Sequence, residues 1–210
     1  MAQFFSLHPQ QPQPRLIRQA ADIVRQSGLV ALPTDSAYAL ACQVGQAQLL
    51  DRIRRIRGVD DRHHFTLMCR DLSEIAQFAR VDNAQYRLLK ATTPGPYTFI
   101  LEGTRELPRR VLHPKRKTVG LRVPEHPVVE ALLAEIDGPL LTSTLLLPDE
   151  ALPLSDAEEI RERLGKQVEL VIEAGYCGAE ATTVIDLSGG APILVRAGRG
   201  ALEPFGLEPT

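Results

Sequence analysis

Apolar residues recur along the chain with two periods, and each period predicts a different kind of element. Between Leu16 and Val24 they return every three to four residues, which is typical of the buried face of a helix, and Gly28 stands where that helix would end. Short apolar runs such as 29–32, bounded by Gly and Pro, predict buried strands. Helices and strands alternate in the first half and strands dominate the end, so we expect a single α/β domain with a twisted mixed sheet flanked by helices.

The same patterns assign most of the chain to elements. Helices are predicted over residues 16–24, 49–56, 71–78, 82–90, 127–136 and 156–164. Strands are predicted over residues 29–32, 65–69, 97–102, 119–123, 139–147, 168–172, 183–187 and 193–196. We further expect an N-terminal extended segment (1–13), one domain (14–200), a C-terminal tail (201–210) and a candidate mobile lid (148–156).

The net charge of −2 hides an uneven distribution of ionisable residues. Residues 1–122 carry nineteen Lys and Arg against ten Asp and Glu, a balance of +9, whereas residues 123–210 carry five against sixteen, a balance of −11. This asymmetry indicates a polarised surface whose basic side faces an anion such as a nucleotide or RNA, unless the charges mix in space once the chain folds.

The cysteines and the N-terminus bear on the compartment. Cys42, Cys69 and Cys177 are odd in number and far apart, a pattern that favours a reduced protein over a disulfide scaffold. The N-terminus lacks the basic and apolar regions of a signal peptide, and no apolar run approaches the roughly 20 residues that span a bilayer. We therefore expect a cytoplasmic protein without a membrane partner.

The common phosphate-binding and hydrolase motifs are absent from the sequence. It contains no Gly-x-x-x-x-Gly-Lys-Ser/Thr loop, no Gly-x-Gly-x-x-Gly after a strand and no Gly-x-Ser-x-Gly elbow. The five histidines lack metal-ligand spacing, so we assign no metal ligand, and we expect His63 and His64 to lie in a solvated loop beside Arg62. A nucleotide would therefore need an unusual pocket.

One polar stretch, residues 33–40, follows a predicted strand. Within it Thr34, Asp35, Ser36 and Tyr38 place three hydroxyls and a carboxylate at a strand end, where ligands of α/β proteins tend to bind. The alternative is that Asp35 or Ser36 caps a following helix, a role in which both residue types are common.

Four further groups share this arrangement of a polar or basic side chain at a strand end or loop edge. They are Arg55 and Arg57 at a helix end, Arg122 inside an apolar strand, the hydroxyls of Thr142, Ser143 and Thr144, and Arg196 at the end of a strand. A buried guanidinium needs an anionic partner. Arg122 therefore either pairs with Asp35 or binds an anionic ligand. Arg196 either pairs with a core carboxylate or binds an anionic ligand. Together the groups predict a cavity suited to a polyanion and a small carboxylate.

These motifs resemble those of a known family in both composition and order. The stretch 33–40 is similar to the Pro-Thr-Asp-Thr-x-Tyr-Gly-Leu signature of the YrdC-like family, the threonylcarbamoyl-AMP synthases, and Arg55-x-Arg57 stands where the family has Lys-x-Arg. The order continues through residues 94–98, 120–124, 142–143, 182–186 and 195–198. Residues 65–72 and 115–118 resemble the YciO branch of the family in particular.

The resemblance implies a fold and a reaction. The family fold is a single twisted α/β sheet domain with a concave, positively charged face, associated with binding of double-stranded RNA or tRNA. The synthases condense threonine, bicarbonate and ATP into threonylcarbamoyl-AMP, which supplies the N6-threonylcarbamoyl group of tRNA adenosine-37. Mg²⁺ is expected on the ATP phosphates.

The resemblance also implies roles for individual residues. Threonine would be held by Thr34, Arg122, Thr182 and Thr183. ATP would be held by Arg55, Arg57, Thr118, Thr142, Ser143, Thr144 and Arg196. Catalysis would rest on Arg55, Arg57 and Arg122. The alternative function is a non-catalytic protein that binds RNA through Arg109, Arg110, Lys115, Arg116 and Lys117.

Two departures from the family pattern bear on activity. The synthases carry Thr-Ser-Ala-Asn-x-Ser-Gly, whereas this chain has Leu145 in place of the Asn. Losing a hydrogen bond to a charged group costs about 1.5–3 kcal/mol, which is about one to two decades in rate or affinity. Arg in place of Lys at position 55 exchanges a compact charge for a planar fork. We therefore expect weakened or redirected synthase activity.

Overall fold

A computed structural model of the protein describes residues 1–60 and 62–208. Asp61 and the last two residues of the predicted tail, Pro209 and Thr210, lie outside the described residues. Within the described ranges the helices are Pro14–Arg25 (α1), Ala47–Arg57 (α2), Leu72–Phe78 (α3), Asn83–Thr92 (α4), Pro127–Glu135 (α5) and Ala157–Leu164 (α6). The strands are Gln3–Ser6 (β1), Val30–Leu32 (β2), Ala39–Gln43 (β3), Thr66–Met68 (β4), Tyr97–Glu102 (β5), Thr118–Arg122 (β6), Leu140–Thr144 (β7), Leu170–Glu173 (β8), Thr183–Asp186 (β9) and Ile193–Arg196 (β10).

All of these strands join one mixed sheet, in the order β1-β8-β2-β3-β7-β4-β6-β5-β9-β10. The pairs β1/β8, β8/β2, β4/β6 and β5/β9 are parallel. The pairs β2/β3, β3/β7, β7/β4, β6/β5 and β9/β10 are antiparallel. The twisted mixed α/β sheet that the sequence predicts is confirmed.

Three helix starts follow directly from the sequence. Asp71, Asp82 and Asp156 stand immediately before α3, α4 and α6, and their carboxylates accept first-turn backbone N–H groups at 2.8–2.9 Å. Such caps satisfy N–H groups that have no partner within the helix. The predicted starts of these helices are therefore confirmed.

Two strands were not predicted as such. β1 lies within the N-terminal extended segment and pairs with β8 at one end of the sheet. β3 begins directly after the polar stretch and pairs antiparallel with β2. No helix begins at Asp35 or Ser36, whose positions are both described, so the helix-capping alternative is wrong.

The two faces of the sheet are covered unequally. One face packs against α2, α3, α4 and α6 in the larger of two apolar clusters, which includes Leu67, Phe99 and Leu121. The other face packs against α1 and α5 in a smaller cluster that includes Met68 and Leu140. The described helices leave the remainder of this second face, over β5, β6 and the adjoining ends of β4 and β7, uncovered.

Candidate functional site

The uncovered part of the sheet is the floor of a cleft of about 1040 Å³. Residues paired directly across neighbouring strands stand on the same face of a sheet. One such row crosses the floor through Thr142 on β7, Thr66 on β4, Gly120 on β6 and Ile100 on β5. Three of these four floor residues are small or carry a hydroxyl, at strand positions that are elsewhere apolar.

Gly120, at the centre of this floor, leaves no room for a side chain. A Cβ atom at this position would lie 3.0 Å from Thr66 Oγ1, 3.1 Å from the backbone oxygen of Phe65 and 3.3 Å from the Thr98 methyl group. These separations are shorter than ordinary van der Waals contacts, so a side chain here would displace its neighbours. The close approach of three strands accounts for a glycine within the buried strand β6.

Arg122 and Asp35 form a buried ion pair at one end of the floor. Their side chains are 7% and 9% exposed, and Arg122 Nη2 donates to Asp35 Oδ1. Arg122 Nη1 also donates to Ser36 Oγ at 3.3 Å, and Asp35 Oδ2 accepts the backbone N–H of Glu125 at 3.1 Å. The pairing of Arg122 with Asp35, one of the two alternatives from the sequence, is confirmed.

The ion pair does not use all the donors of Arg122. Its Nε is buried without a hydrogen-bond partner among the described residues. Burial lowers the pKa of Arg122, and the Asp35 carboxylate opposes that shift. A guanidinium has five N–H donors, so Arg122 retains donors for an anion in the cleft while paired with Asp35.

The connection from β2 to β3 is held in shape by Thr34. Its hydroxyl donates to the carbonyl oxygen of Ala37 at 2.7 Å and accepts the backbone N–H of Ser36 at 3.2 Å. From the segment after β10, Arg199 Nη1 donates to the carbonyl oxygen of Asp35 at 2.6 Å. The wall that carries Asp35 and Ser36 is therefore fixed by hydrogen bonds within its own turn and by one from the segment after β10.

Arg57 enters the cleft from the C-terminal end of α2. Its Nη1 donates to the carbonyl oxygen of Leu146 at 2.6 Å, whereas its Nε is buried without a partner among the described residues. Burial lowers the pKa of Arg57, and the charge of Arg196 lowers it further. A cation in this environment is stabilised by an anionic ligand, because charge that is buried without a partner is costly.

Arg196, at the end of β10, faces the cleft near Thr182. Its Nε and Nη2 donate to the Thr182 carbonyl oxygen at 3.2 and 2.9 Å, and Nη2 also donates to Thr182 Oγ1 at 3.2 Å. Thr182 Oγ1 in turn lies 2.9 Å from Thr98 Oγ1. Across residues 1–60 and 62–208, neither Arg196 nor Arg57 forms a salt bridge with a carboxylate. The alternative in which Arg196 pairs with a core carboxylate is therefore not observed in this part of the chain.

His63 reaches the same cleft from the loop after α2. Its Nε2 lies 3.0 Å from Ser143 Oγ, and its ring packs edge-on against Phe65. Burial lowers the pKa of His63 to about 4, and the charge of Arg57 contributes in the same direction. The expectation that His63 lies in a solvated loop is wrong, because the segment folds over the floor; His64 is exposed but also lines the cleft.

The cleft brings together seven of the site residues predicted from the sequence. They are Arg57, Arg122, Thr142, Ser143, Thr144, Thr182 and Arg196. Four others do not line it, namely Thr34, Arg55, Thr118 and Thr183. Their contacts with substrate stay predictions.

The helix geometry explains the position of Arg55. Residues two apart on an α-helix point about 200° apart, so Arg55 and Arg57 cannot both face the cleft from α2. Arg55 is exposed, in agreement with this geometry. Thr183 is instead fully buried, and its hydroxyl donates to the carbonyl oxygen of Gly200 at 2.7 Å.

The sequence interpretation missed several residues of the floor and the rim. Thr66, Thr98 and Gly120 lie on strands that were predicted, but they were treated as ordinary strand positions. The signal that identifies them is a hydroxyl or a glycine at an alternate position of an otherwise apolar strand.

The predicted RNA-binding segment lies on an exposed loop beside the cleft. Its five residues, Arg109, Arg110, Lys115, Arg116 and Lys117, are all exposed. Arg116 Nη1 lies 3.2 Å from Asp186 Oδ2, so part of this charge is paired. His113 in the same loop stacks on His64 at the cleft rim, with 4.8 Å between the ring centroids. The basic loop therefore adjoins the site.

The predicted lid, residues 148–156, contributes to the rim of the cleft. Ala151, Leu152 and Pro153 line the cleft, and the Leu152 side chain is 65% exposed. The backbone N–H of Leu154 donates to the carbonyl oxygen of Leu145 at 2.9 Å, which anchors one end of the loop. Its mobility stays a prediction.

Metal ligands and membrane spans were searched among the described residues. No group of three or more His, Cys, Asp and Glu within residues 1–60 and 62–208 could hold a metal ion. None of the helices in the same ranges is both long enough and apolar enough to cross a membrane. The three cysteines are buried and unpaired.

Comparison with known proteins gives relatives over nearly the whole chain. The sequence profile of the Sua5/YciO/YrdC family, described as "Telomere recombination", matches residues 22–198. Uncharacterized protein YciO of Escherichia coli (strain K12) is 53% identical over 205 residues, which cover 98% of this chain and 100% of the relative. The crystal structure of E. coli YciO matches with a TM-score of 0.94 over 98% of this chain and 100% of that one.

More distant relatives have names that state an activity or a ligand. The threonylcarbamoyl-AMP synthase of Homo sapiens is 31% identical over 179 residues, which cover 82% of this chain and 63% of the synthase. The structure of P. abyssi Sua5 complexed with L-threonine shares the fold, with a TM-score of 0.85 at 24% identity over 93% of this chain and 57% of that one. The chain therefore belongs to the Sua5/YciO/YrdC family.

Proposed function

We propose that this protein is a threonylcarbamoyl-AMP synthase-like enzyme with weak or diverged activity. It would condense threonine, bicarbonate and ATP in the cytoplasm and supply the product for tRNA modification. The observation that carries the proposal is the convergence of Arg57, Arg122 and Arg196 on one cleft rich in hydroxyl groups. Within residues 1–60 and 62–208, these three guanidinium groups have one carboxylate partner among them, which favours a polyanionic ligand.

The two ends of the cleft suit the two substrates. Arg122 retains N–H donors beside the β2–β3 connection, which suits a small amino-acid carboxylate. Arg57 and Arg196, together with the hydroxyls on β7, suit the phosphates of ATP. The activity named for the human relative and the L-threonine named in the P. abyssi complex support these two substrates, and the division between the two ends is proposed from the geometry of the cleft.

The chemistry needs no protein nucleophile. Carbamate formed on the threonine amine attacks the α-phosphorus, and pyrophosphate leaves. The protein's contribution is to hold two anionic groups together and to neutralise charge that develops on the phosphates. Asp60 and Glu180 line the cleft but do not form a metal cage with other described residues, so Mg²⁺ is proposed to be held mainly by the phosphates.

Leu145 is the reason to propose reduced activity. Its side chain is fully buried in the larger apolar cluster, and its backbone N–H donates to the Tyr38 carbonyl oxygen at 2.8 Å. The family's Asn would offer an amide at this position, whereas leucine offers no hydrogen bond. Leu145 itself does not line the cleft, so a deficit of about 1.5–3 kcal/mol in transition-state stabilisation would follow only if the Asn of the synthases turns toward the cleft and bonds a charged group there.

Pyrophosphate release with ATP, threonine and bicarbonate tests the proposal. We expect slow, threonine-dependent release that Arg57→Gln lowers by roughly 10-fold or more, because a charge-assisted contact to phosphate is lost. Arg52→Gln is the matched control on α2, since Arg52 pairs with Glu169 outside the cleft. Absence of threonine-dependent release from the parent would contradict the proposal, as would equal loss in both variants.

A second candidate function is RNA binding without catalysis. The observation that favours it is the exposed basic loop beside the cleft, described above. Binding dominated by phosphate contacts weakens steeply as salt rises. Replacing Arg109, Arg110, Lys115 and Lys117 by Ala should lower the affinity for double-stranded RNA and flatten its salt dependence. The exposed pair Arg15 and Arg18 on α1 supplies a control double variant, which should retain both properties.

A further inference from the structure

His63 occupies a position in the cleft that the reaction proposed above does not use. Its ring is half-buried, with Nε2 on Ser143 Oγ at 3.0 Å, and it lines the same cleft as Arg57. Its Nδ1 forms no hydrogen bond with any described residue. One nitrogen is thus directed to the protein, while the other has no partner in the part of the chain that the structure describes.

The charges around His63 are mostly positive. Arg54 and Arg57 face it from α2, and His64 adjoins it in the loop, whereas Asp60 is the carboxylate that opposes them among the described residues. β7 contributes the hydroxyl of Ser143, and β4 is preceded by Phe65, whose ring contacts the imidazole. Burial and these cations together keep the ring neutral, and they lower its pKa to about 4.

A polyanion in the cleft changes this balance. Phosphate oxygens beside Arg57 would compensate the positive field and add negative charge near the ring. A protonated imidazole donates from both nitrogens, so one N–H can bond Ser143 Oγ and the other can bond a phosphate oxygen. The Ser143 hydroxyl then has its own proton free to donate toward the ligand.

We propose that His63 is a proton-dependent ligand of the polyphosphate, neutral in the empty cleft and protonated when a polyanion binds. Nucleotide binding therefore takes up a proton. The affinity for the nucleotide rises as the pH falls, over the range in which the ring is neutral in the empty cleft and protonated in the complex. This inference rests on the proposed function, because it assumes that a nucleotide occupies the cleft. It adds a binding residue that neither the sequence motifs nor the relatives' names assign.

Calorimetry with Mg²⁺ and ATP at about pH 5.5 tests the inference, since this pH lies below the ordinary histidine pKa of about 6.5. Titrations in two buffers of different ionisation enthalpy give the number of protons taken up. We expect the parent to take up about one proton more per nucleotide than His63→Gln. For each unit by which the pH is lowered, the apparent Kd of the parent should fall by up to about tenfold relative to that variant. ATP's own titration is the same for both proteins and cancels in the comparison.

His8→Gln is the control, because His8 lies in the N-terminal segment outside the cleft and the variant also removes one of five histidines. It should match the parent. A second readout is the imidazole proton resonance that is missing in His63→Gln, which should shift to the protonated position on adding ATP. ATP binding with equal proton uptake in the parent and in His63→Gln overturns the inference and leaves the proposed function standing. Absence of ATP binding to the parent at any pH overturns both.

Discussion

Two regions of one sheet face differ sharply although the same strands build both. On β7, Leu140 is buried under α1 and α5, whereas Thr144, four residues on and on the same face, lines the cleft. On β4, Met68 belongs to the covered region and Thr66 to the open one. The side chains on this face therefore change from apolar to polar within two to four residues along a strand, at the point where the cover by α1 and α5 ends.

The difference shows how a fold can separate stability from function along a single strand. Apolar side chains under α1 and α5 contribute burial, which is roughly proportional to the apolar area removed from water. Hydroxyls, a glycine and guanidinium groups in the open region contribute little burial but offer hydrogen bonds to a ligand. Arg122 lies at the border and belongs to both regions, since it is buried and still has donors to spare.

We expect the largest effect on the free energy of unfolding from a substitution of Arg122, the residue at the border of the two regions. Arg122→Met leaves Asp35 buried without its cationic partner, and breaking a buried pair in this way costs about 3–5 kcal/mol of unfolding free energy. Urea denaturation measures this loss. Arg80→Met is the matched control, because Arg80 pairs with Glu102 at 3.2 Å where both side chains are more than half exposed, and it should cost about 0–1 kcal/mol. Equal effects would show that the pair lies outside the folded core.

The second prediction compares the two regions along β7. Leu140→Ala should lower the unfolding free energy by about 2–5 kcal/mol through loss of burial and a cavity, with no direct effect on a ligand in the cleft. Thr144→Ala should change stability by only about 0.5 kcal/mol, because the side chain is partly exposed. The same variant should reduce thermal protection by ATP. A stability loss at Thr144 that matches the loss at Leu140 would remove the distinction between the regions.

The smallest expected effect concerns pH. His63 has a pKa of about 4 in the folded protein, whereas an unfolded histidine titrates near pH 6.5, so the unfolded state binds more protons between these values. Stability that is fully present above about pH 6.5 is therefore lost as the pH falls toward about 4, by about 1–2 kcal/mol after allowing for solvent screening of a half-buried ring.

Denaturation curves at several pH values measure this decline. His63→Gln should remove its share of the decline, whereas His8→Gln should leave the decline as it is in the parent. His64 and His126, whose pKa values burial also lowers, remain in both variants and account for the residual slope. A decline that is unchanged in His63→Gln would place this imidazole in solvent.

Most elements could be predicted because local patterns and tertiary packing agree. Helices with a Gly stop or an Asp cap, such as α1 and α6, are specified within a few residues of their ends. β3 escaped prediction because residues 39–42 are all buried, so the strand shows no alternation of polar and apolar side chains. β1 was only an extended segment until its parallel partner β8, more than 160 residues later, was known.

The site could be predicted only in part, because sequence motifs give the types of residues but not the directions in which their side chains point. Arg57 reaches the cleft and Arg55 does not, a distinction that follows from helix periodicity and was not used. Thr34 carries the family motif, yet its hydroxyl is engaged within its own turn. His63 could not be assigned without knowing that its loop folds over β7.

The hydrogen bond from Arg199 to the Asp35 carbonyl oxygen joins residues 164 positions apart, and Arg196, on the strand just before it, also lines the cleft. During synthesis, α2, β6 and β7 emerge well before this last strand. The nascent chain can therefore bury much of its sheet while the cleft still lacks one side. The complete cleft can therefore form only when translation has passed residue 199.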